Sequence, residues 1–221
     1  RIKFLMIENR LEKKFIYNEG DLSHKFFILN SMFKKTYSQR KINSIYYDTQ
    51  SHKDVWDNIN GFGNRKKLRI RWYNEINNSD VFFEEKKKIN FVTQKVVKKI
   101  GKFQNYNELL KFLDSEKFHN SDLINKYEKN YIKTIFIQYE RNYYELPNKK
   151  LRLTVDRNIK IFNQFPKNFL NLDETILELK YDLKNSDFVN NFVKEQNLND
   201  RNKKFSKYVY SFISFNDSGL V

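Results

Sequence analysis

The fold of this chain is decided by the stretch Arg65-Lys66-Lys67-Leu68-Arg69-Ile70-Arg71-Trp72-Tyr73. With a period of two, its odd-numbered basic residues fall on one face of an extended strand. Leu68, Ile70 and Trp72 fall on the other face, where Lys66 is the one exception. This alternation is typical of a β-strand with one polar and one apolar face.

The cations Arg65, Lys67, Arg69 and Arg71 repel one another along that strand. Side chains on one face of a strand repeat about every 6.5–7 Å. At an effective dielectric constant near 20, each neighbouring pair costs roughly 2.5 kcal/mol. A face open to water tolerates this repulsion, whereas an enclosed face needs a counter-charge. The row therefore predicts either a solvated surface or an enclosed site for a polyanion.

The composition favours a polyanionic ligand. The chain has 42 Lys and Arg against 27 Asp and Glu, a net charge of +15, which predicts attraction to nucleic acid, anionic membranes or phosphate compounds. It has no cysteine, which excludes disulfides, thiol nucleophiles and thiolate metal sites. No apolar run reaches the length of a spanning helix. We expect a cytoplasmic protein with a single domain over 1–221.

Alternation of charged and apolar residues recurs along the chain and predicts seven or eight strands. These strands are 8–17, 43–48, 65–73, 81–89, 91–100, 131–144, 151–159 and 175–182. Helical spacing and capping residues predict helices over 21–35, 105–113, 121–129, 186–195 and 203–215. Asp21, Asn105, Ser121 and Ser186 are the predicted N-caps, and Asn60 to Asn64 is a predicted turn.

Two architectures fit strands of this kind. A sandwich turns its apolar faces inward and its charges to water, which is the ordinary explanation for any one strand. A barrel can instead keep the charges in its lumen while helices cover its apolar outer surface. Because the amphipathic helices need an apolar surface to cover, we predict an α+β fold built on an antiparallel β barrel with a basic lumen.

The charged residues in matching phase are the candidate site. Ten cations could hold phosphates, through Arg forks or Lys point charges: Lys14, Arg65, Lys67, Arg69, Arg71, Lys86, Lys88, Arg141, Arg152 and Lys180. The carboxylates on the same faces are Glu12, Glu84 and Glu178. A hard divalent cation binds oxygen ligands and often keeps substrate phosphates, so one or two of these carboxylates would suffice. The three histidines lack ligand spacing and are expected at the surface.

The sequence resembles the VTC domain, the polyphosphate polymerase branch of the triphosphate tunnel metalloenzymes. Its matching segments follow the order of the family: Arg10-Leu11-Glu12-Lys13-Lys14-Phe15, Ser44-Ile45-Tyr46-Tyr47-Asp48-Thr49, Gly63-Asn64 with the arginine stretch, Glu84-Glu85-Lys86-Lys87-Lys88, Tyr139-Glu140-Arg141, Leu151-Arg152-Leu153-Thr154-Val155-Asp156, Ile176-Leu177-Glu178-Leu179-Lys180 and Ser206-Lys207-Tyr208.

The resemblance implies a tunnel barrel that holds a triphosphate or polyphosphate with Mn²⁺ or Mg²⁺, closed at one end by a C-terminal helix. With the charge pattern, it assigns phosphate binding to Arg10, Lys14, Arg65, Lys67, Arg69, Arg71, Lys86, Lys88, Tyr139, Arg141, Arg152, Lys180, Ser206 and Lys207. Catalysis is assigned to Lys14, Arg69, Arg71, Lys86 and Glu178. Glu178 is the implied main metal ligand, with Glu12 and Glu84 as further candidates.

Two positions depart from the pattern of the family. Triphosphatase relatives usually open with Glu-x-Glu-x-Lys, and Arg10 occupies the first acidic position. This exchange removes a metal ligand and adds a cation, which suits a longer polyanion. Val97 stands where a second basic residue would follow Lys95, so Lys95 is not assigned to the site.

We therefore expect a metal-dependent polyphosphate polymerase that transfers the terminal phosphoryl group of ATP to a growing polyphosphate chain. One alternative is a tripolyphosphatase or nucleoside triphosphatase in the same tunnel. Another is a non-catalytic module that binds polyphosphate or inositol phosphates. ATP and polyphosphate are the expected partners, and a membrane-associated partner for product export is an option. Nucleic acid is not expected, because the sequence carries no base-stacking signature.

Overall fold

The computed structural model describes residues 5–7, 10–18, 29–90, 92–121, 123–124, 127, 131–164, 167–198 and 205–217, with side chains except at 5–7, 10, 92 and 164. Its strands are β1 (Leu5–Ile7), β2 (Arg10–Asn18), β3 (Lys34–Thr49), β4 (Asn64–Tyr73), β5 (Ser79–Ile89), β6 (Val92–Phe103), β7 (Tyr131–Glu145), β8 (Arg152–Gln164), β9 (Lys167–Leu172) and β10 (Glu174–Asp182). Its helices are α1 (Lys53–Ile59), α2 (Tyr106–Leu113), α3 (Glu116–His119), α4 (Ser186–Glu195) and α5 (Lys207–Asp217).

All ten strands belong to one antiparallel sheet. Their order is β1-β6-β5-β4-β3-β7-β8-β10-β2, and β9 pairs with β8 beside this path. In the described ranges no ladder joins the edge strands β1 and β2, so the sheet is not closed. The prediction of a closed barrel of seven or eight strands is wrong in both respects.

The sheet is nevertheless curved into a tunnel-like shape. Lys86 on β5 and Glu12 on β2 lie six strand positions apart, which would separate them by about 29 Å in a flat sheet. Their side chains approach to 3.2 Å. The face that carries these two residues is therefore the concave face, and its opposite is the convex face.

The arginine strand confirms the predicted alternation. Leu68 and Ile70 are fully buried and Trp72 is nearly so, in an apolar cluster on the convex face. Leu109 of α2 and Phe118 of α3 pack into the same cluster. Because these helices cover the apolar side of β4, the basic side chains of this strand lie on the concave face.

The other helices cover two further surfaces of the sheet. Val189, Phe192 and Val193 of α4 pack on apolar residues of β2, β8 and β10 on the convex face. The helix α5 lies on the concave face instead, where Tyr208 stacks on Tyr46 with ring centroids 4.6 Å apart. None of the helices that the structure describes is long and apolar enough to cross a membrane.

Several predicted boundaries need correction. The helix predicted over 21–35 ends earlier, because residues 29–32 are helical and β3 begins at Lys34; its start lies outside the described residues. The helix predicted over 121–129 lies for the most part outside the described residues; the hydroxyl of Ser121 donates to the carbonyl of Phe118, and Ser115 caps α3. Ser186 is the first residue of α4 and donates to Leu183 rather than capping the helix.

The remaining boundaries differ at their ends. The strand predicted over 43–48 is the second half of a 16-residue strand, and the hairpin β8–β9 continues beyond the predicted end at residue 159. The capping box of α2 is confirmed, since the side chain of Asn105 accepts from the amide of Glu108. The turn at 60–64 is also confirmed, with Gly61 at a φ of +72°.

The helix α1 was not predicted, and the buried carboxylate of Asp48 anchors it. This carboxylate accepts hydrogen bonds from the amides of Asp54 and Val55 at 2.9 and 3.0 Å. It also accepts from the hydroxyl of Tyr208 on α5 at 2.8 Å. One aspartate at the end of β3 therefore joins two helices to the sheet.

Asp54 lies beside this aspartate in the first turn of α1 and is 1% exposed. Burial, reinforced by the neighbouring Asp48, raises the pKa of Asp54 to about 7. Its Oδ2 accepts a hydrogen bond from Tyr131 at 2.9 Å. Because the folded pKa lies above the unfolded value, the folded state holds an extra proton between about pH 4 and pH 7.

The contribution of Asp54 to stability is therefore complete below about pH 4 and is lost as the pH rises through about 7. We expect Asp54→Asn to raise the free energy of unfolding above pH 7, because the amide carries no charge. Urea unfolding of both proteins should give similar stabilities near pH 4. The variant should gain on the order of 1 kcal/mol per pH unit between pH 4 and pH 7. A constant difference at all pH values would contradict this assignment.

Candidate functional site

Glu84 organises one end of the concave face. Its Oε2 lies 2.7 Å from Nε and 2.5 Å from Nη2 of Arg69, and 3.6 Å from Nη1 of Arg71. Its Oε1 accepts from Nζ of Lys95 at 3.1 Å. Burial alone would raise the pKa of Glu84. The three cations outweigh this effect and hold the pKa well below its usual range. Both carboxylate oxygens are engaged.

The guanidinium groups of Arg69 and Arg71 are also positioned by neutral side chains. Arg69 donates to the hydroxyl of Tyr46 at 3.1 Å. Arg71 donates to the hydroxyl groups of Ser44 and Tyr139, each at 3.3 Å. Because these partners lie on β3 and β7 while Glu84 lies on β5, both arginines are held from the two sides of β4.

A second carboxylate, Glu178 on β10, lies among another group of cations. Its Oε1 is 3.5 Å from Nζ of Lys14, and its Oε2 is 3.4 Å from Arg141 and 3.6 Å from Lys180. Burial alone would raise the pKa of Glu178. Lys180, Lys14 and Arg141 outweigh this effect and lower the pKa, so the group stays ionised. These distances are longer than an ordinary hydrogen bond, so the oxygens of Glu178 are only loosely held.

Glu12 lies close to this group and shares its cations. Lys14 and Lys180 approach Glu12 at 3.6 and 3.9 Å, and Lys86 approaches it at 3.2 Å. Since Lys14 and Lys180 also contact Glu178, the two carboxylates lie on either side of the same ammonium groups. Burial and repulsion from Glu178 disfavour the charged form of Glu12, but Lys86, Lys14 and Lys180 together hold its pKa below the usual range.

Asp156 is a concave-face carboxylate that the sequence analysis did not assign. It is fully buried and accepts two hydrogen bonds from Arg141, at 2.6 and 2.7 Å. It also pairs with Lys207 of α5, whose Nζ lies 4.9 Å from the ring centroid of Tyr139. Asp156 therefore fixes the Arg141 guanidinium and anchors the start of α5 to the sheet.

Lys67 lies where β4, β5 and α5 meet. Its ammonium group donates to the hydroxyl of Ser206 at 2.7 Å. Burial lowers its pKa, and the neighbouring ammonium groups of Lys14 and Lys86 lower it further, well below the usual range for lysine. Positive charge is therefore crowded at this point of the concave face.

The remaining predicted residues lie at the margins of the site. Arg65 donates to the carbonyl of Phe62 at 2.8 Å and lies opposite Lys88 in the ladder. Arg152 lies opposite Lys180, and no described residue forms an ion pair with it. Arg10 begins β2, and its side chain lies outside the described residues.

The ladder places cations directly opposite cations. Lys67 is the register partner of Lys86, which is in turn the partner of Lys95. The pairs Arg65–Lys88 and Arg152–Lys180 repeat this arrangement. Like charges directly opposite each other in a sheet are destabilising. An anion that lies along the concave face would relieve this repulsion.

The acidic side chains differ in their fit to a metal ion. In the part of the chain that the structure describes, no cluster of three or more acidic or histidine side chains could hold one. Glu84 does not fit as a ligand, because its tight ion pairs occupy both oxygens. Glu178, helped by Glu12, fits a Mg²⁺ or Mn²⁺ ion that takes its other ligands from phosphates and water.

Sequence reasoning assigned most of these side chains but missed three. Asp156 has the same phase as Arg152 along β8, so the alternation could have revealed it. Lys95 was set aside, yet it pairs with Glu84. Tyr46 lies within the segment from Ser44 to Thr49 that resembles the VTC domain, and no pattern in the sequence indicated its contact with Arg69.

Solved structures share this fold at low sequence identity. The PH1819 protein from Pyrococcus horikoshii OT3 is 12% identical with a TM-score of 0.59, over 93% of this chain and 99% of that one. A Bacillus halodurans protein named as a proposed adenylate cyclase is 11% identical with a TM-score of 0.54, over 92% and 96%. The HpAC1 protein from Hippeastrum is also named as a proposed adenylyl cyclase and is reported to show a dominant triphosphatase activity. It is 13% identical with a TM-score of 0.53, over 95% of this chain and 96% of that one.

Curated protein sequences gave no match. The family comparison gave a clear result, since the profile of the VTC domain matches residues 9–216. That range includes every residue assigned above to phosphate, metal or catalysis. The chain therefore belongs to the VTC domain family, as its sequence motifs predicted.

Proposed function

We propose that this protein is a metal-dependent polyphosphate polymerase that moves the terminal phosphoryl group of a nucleoside triphosphate onto the end of a polyphosphate chain. Membership of the VTC domain family supports a phosphoryl-transfer enzyme. The observation that carries the proposal is the set of register pairs in which cation faces cation, such as Lys67 with Lys86. Such pairs suit a ligand that carries many negative charges along its length.

In the proposed reaction, an oxygen of the terminal phosphate of the chain attacks the γ-phosphorus of the nucleoside triphosphate. The bond from that phosphorus to the β,γ-bridging oxygen breaks, and a nucleoside diphosphate leaves. Transfers of this kind depend mainly on alignment and on neutralisation of the equatorial oxygens. The protein therefore has to position two phosphate groups in line.

Arg69 and Arg71 are suited to hold the transferred group. Their guanidinium groups are anchored by Glu84 and by hydroxyl groups on β3 and β7, so little reorganisation accompanies binding. Lys14 and Lys86 approach from β2 and β5 across the curved sheet and add mobile positive charge. Arg141, fixed by Asp156, presents its remaining N–H donors to the same space.

Glu178 and Glu12 are the residues that would hold Mn²⁺ or Mg²⁺. A bound divalent ion neutralises phosphate charge and orients donor and acceptor for in-line displacement. The cations around Glu178 keep it ionised, so its oxygens are available as ligands. Its contacts with Lys14 and Arg141 support the proposal, because a metal ion held by Glu178 would lie next to cations suited to phosphate.

Hydrolysis at the same site is the second candidate. The similar fold of the Hippeastrum protein, with its reported dominant triphosphatase activity, favours this alternative. Hydrolysis would use the same cations and metal ligands, with water as the acceptor in place of a phosphate chain. A purely binding module would use the cations but would not need Glu178 for turnover.

Products separate these candidates. We expect incubation with ATP and Mn²⁺ to give long polyphosphate chains on a gel, because the cationic face can hold a polymer as acceptor. Chelation of the metal should stop chain growth. Free phosphate without chains would identify a hydrolase, and binding of tripolyphosphate without any turnover would identify a binding module.

Glu178 and Glu84 should respond differently to removal of their charge. We expect Glu178→Gln to lower metal-dependent turnover by at least about 100-fold and to weaken Mn²⁺ binding, because it removes the main metal ligand. Glu84→Gln should instead destabilise the fold by about 3–5 kcal/mol, because it leaves Arg69, Arg71 and Lys95 without their counter-charge. Manganese titration in the presence of tripolyphosphate and urea unfolding measure the two effects. If Glu84→Gln weakened Mn²⁺ binding and Glu178→Gln only destabilised the fold, the proposed metal site would be wrong.

Lys67 should make phosphate binding depend on pH. A bound polyphosphate raises the lowered pKa of Lys67, so binding takes up a proton and affinity falls as the pH rises toward the ordinary pKa of lysine, about 10.4. Titration calorimetry with inorganic tripolyphosphate measures this slope. Lys67→Arg keeps its charge throughout this range and should give a flatter profile. Since the ligand titrates identically with both proteins, equal slopes would show that Lys67 does not contact phosphate.

A further inference from the structure

The strand β3 is irregular near the end of the concave face that lies beyond Arg71 and Arg141. Tyr37 pairs with Tyr143, and Arg40 pairs with Arg141, so three steps along β3 match two steps along β7. In a regular strand, residues three positions apart point to opposite faces. The extra residue of this bulge brings Tyr37 and Arg40 onto the same face.

The result is a group of three tyrosine rings around one guanidinium. The Arg40 guanidinium lies 5.5 Å from the ring centroid of Tyr37 and 5.7 Å from those of Tyr73 and Tyr143. The rings of Tyr37 and Tyr143 meet edge to face, with centroids 5.7 Å apart. We call Tyr37, Arg40, Tyr73 and Tyr143 the tyrosine cluster.

The tyrosine cluster adjoins the proposed phosphate site. Tyr73 follows Arg71 by two residues on β4, and Tyr143 follows Arg141 by two residues on β7. Each step of two residues spans about 6.5–7 Å along a strand. A ribose can bridge such a gap between a base on the cluster and phosphates on the two arginines.

Two features show that the cluster is open to a ligand. Tyr37 is 59% exposed, although it is a large aromatic side chain on a curved sheet. Arg40 has no carboxylate partner among the described residues, and it lies directly opposite Arg141 in the ladder. A guanidinium group without a carboxylate partner, beside an exposed ring, suits a ligand with both an aromatic surface and negative charge.

We propose that the tyrosine cluster binds the base of a nucleoside triphosphate whose phosphates occupy the proposed site. Nucleobases stack on tyrosine rings and on guanidinium planes. Tyr37 provides the exposed ring, and Arg40 provides a cation next to the base and the first phosphate. This inference rests on the proposed function and adds to it the reason why a nucleotide, rather than inorganic triphosphate, is the donor.

The test compares two triphosphate ligands, of which only one carries a nucleoside. Titration calorimetry of the full chain with Mn²⁺ measures the affinity for a non-hydrolysable ATP analogue and for inorganic tripolyphosphate. Tyr37→Ala should weaken binding of the ATP analogue by about 5- to 150-fold, the range typical for loss of one base-stacking ring. It should leave binding of tripolyphosphate unchanged.

Two further variants serve as controls. Tyr37→Phe keeps the ring and should preserve affinity for the ATP analogue, since stacking does not use the hydroxyl. Phe169→Ala removes another exposed aromatic ring, 44% exposed on β9, and should change neither affinity. Far-ultraviolet circular dichroism checks that every variant keeps the fold.

Each other outcome is decisive. If Tyr37→Ala lost the same affinity for both ligands, or lost affinity for neither, the base site would be overturned and the phosphate site would stay in place. Equal affinity of the unmodified protein for both ligands would also overturn the base site. Failure of the unmodified protein to bind either ligand would overturn the proposed function and the base site together.

Discussion

Repulsion between cations on the concave face is the constraint on which the rest of the structure depends. The curvature of the sheet brings β2 and β5 together and thereby gathers their lysines around the arginines of β4. Four buried or half-buried carboxylates, Glu12, Glu84, Asp156 and Glu178, hold these cations in place. The carboxylates divide the work, because Glu84 and Asp156 form tight pairs whereas Glu12 and Glu178 make looser ones.

The tight and the loose ion pairs therefore have different roles on the concave face. Tight pairs fix Arg69 and Arg141, whose geometry then no longer depends on a ligand. Loose contacts would let Glu178, the metal ligand that we propose, exchange an ammonium neighbour for a metal ion. A face with only tight pairs would have no capacity for phosphate, and a face with only loose ones would have no defined shape.

The arginine stretch predicted its own strand, its orientation and the chemistry of the concave face, because period-two alternation depends only on neighbouring residues. Helical spacing and capping residues predicted the convex-face helices α2 and α4, but not α3. The alternation could not reveal the bulges of β3, which change the phase of Tyr37 and Arg40 without any signature in the sequence. Nor could it reveal α1, a helix of seven residues whose anchor Asp48 accepts hydrogen bonds from backbone amides of the helix. The strand order and the open edges depend on long-range pairing, which local patterns do not encode.

The contact between Glu12 and Lys86 has a consequence for how a long product could leave. These side chains meet across the concave face, from the edge strand β2 and the inner strand β5, which no backbone ladder joins. Such a seam is held by ion pairs, which ionic strength screens and thermal motion separates far more readily than a row of backbone hydrogen bonds. An extended anion of the kind we propose would therefore have to displace only ion pairs, and no backbone hydrogen bonds, to enter or leave the space between β2 and β5.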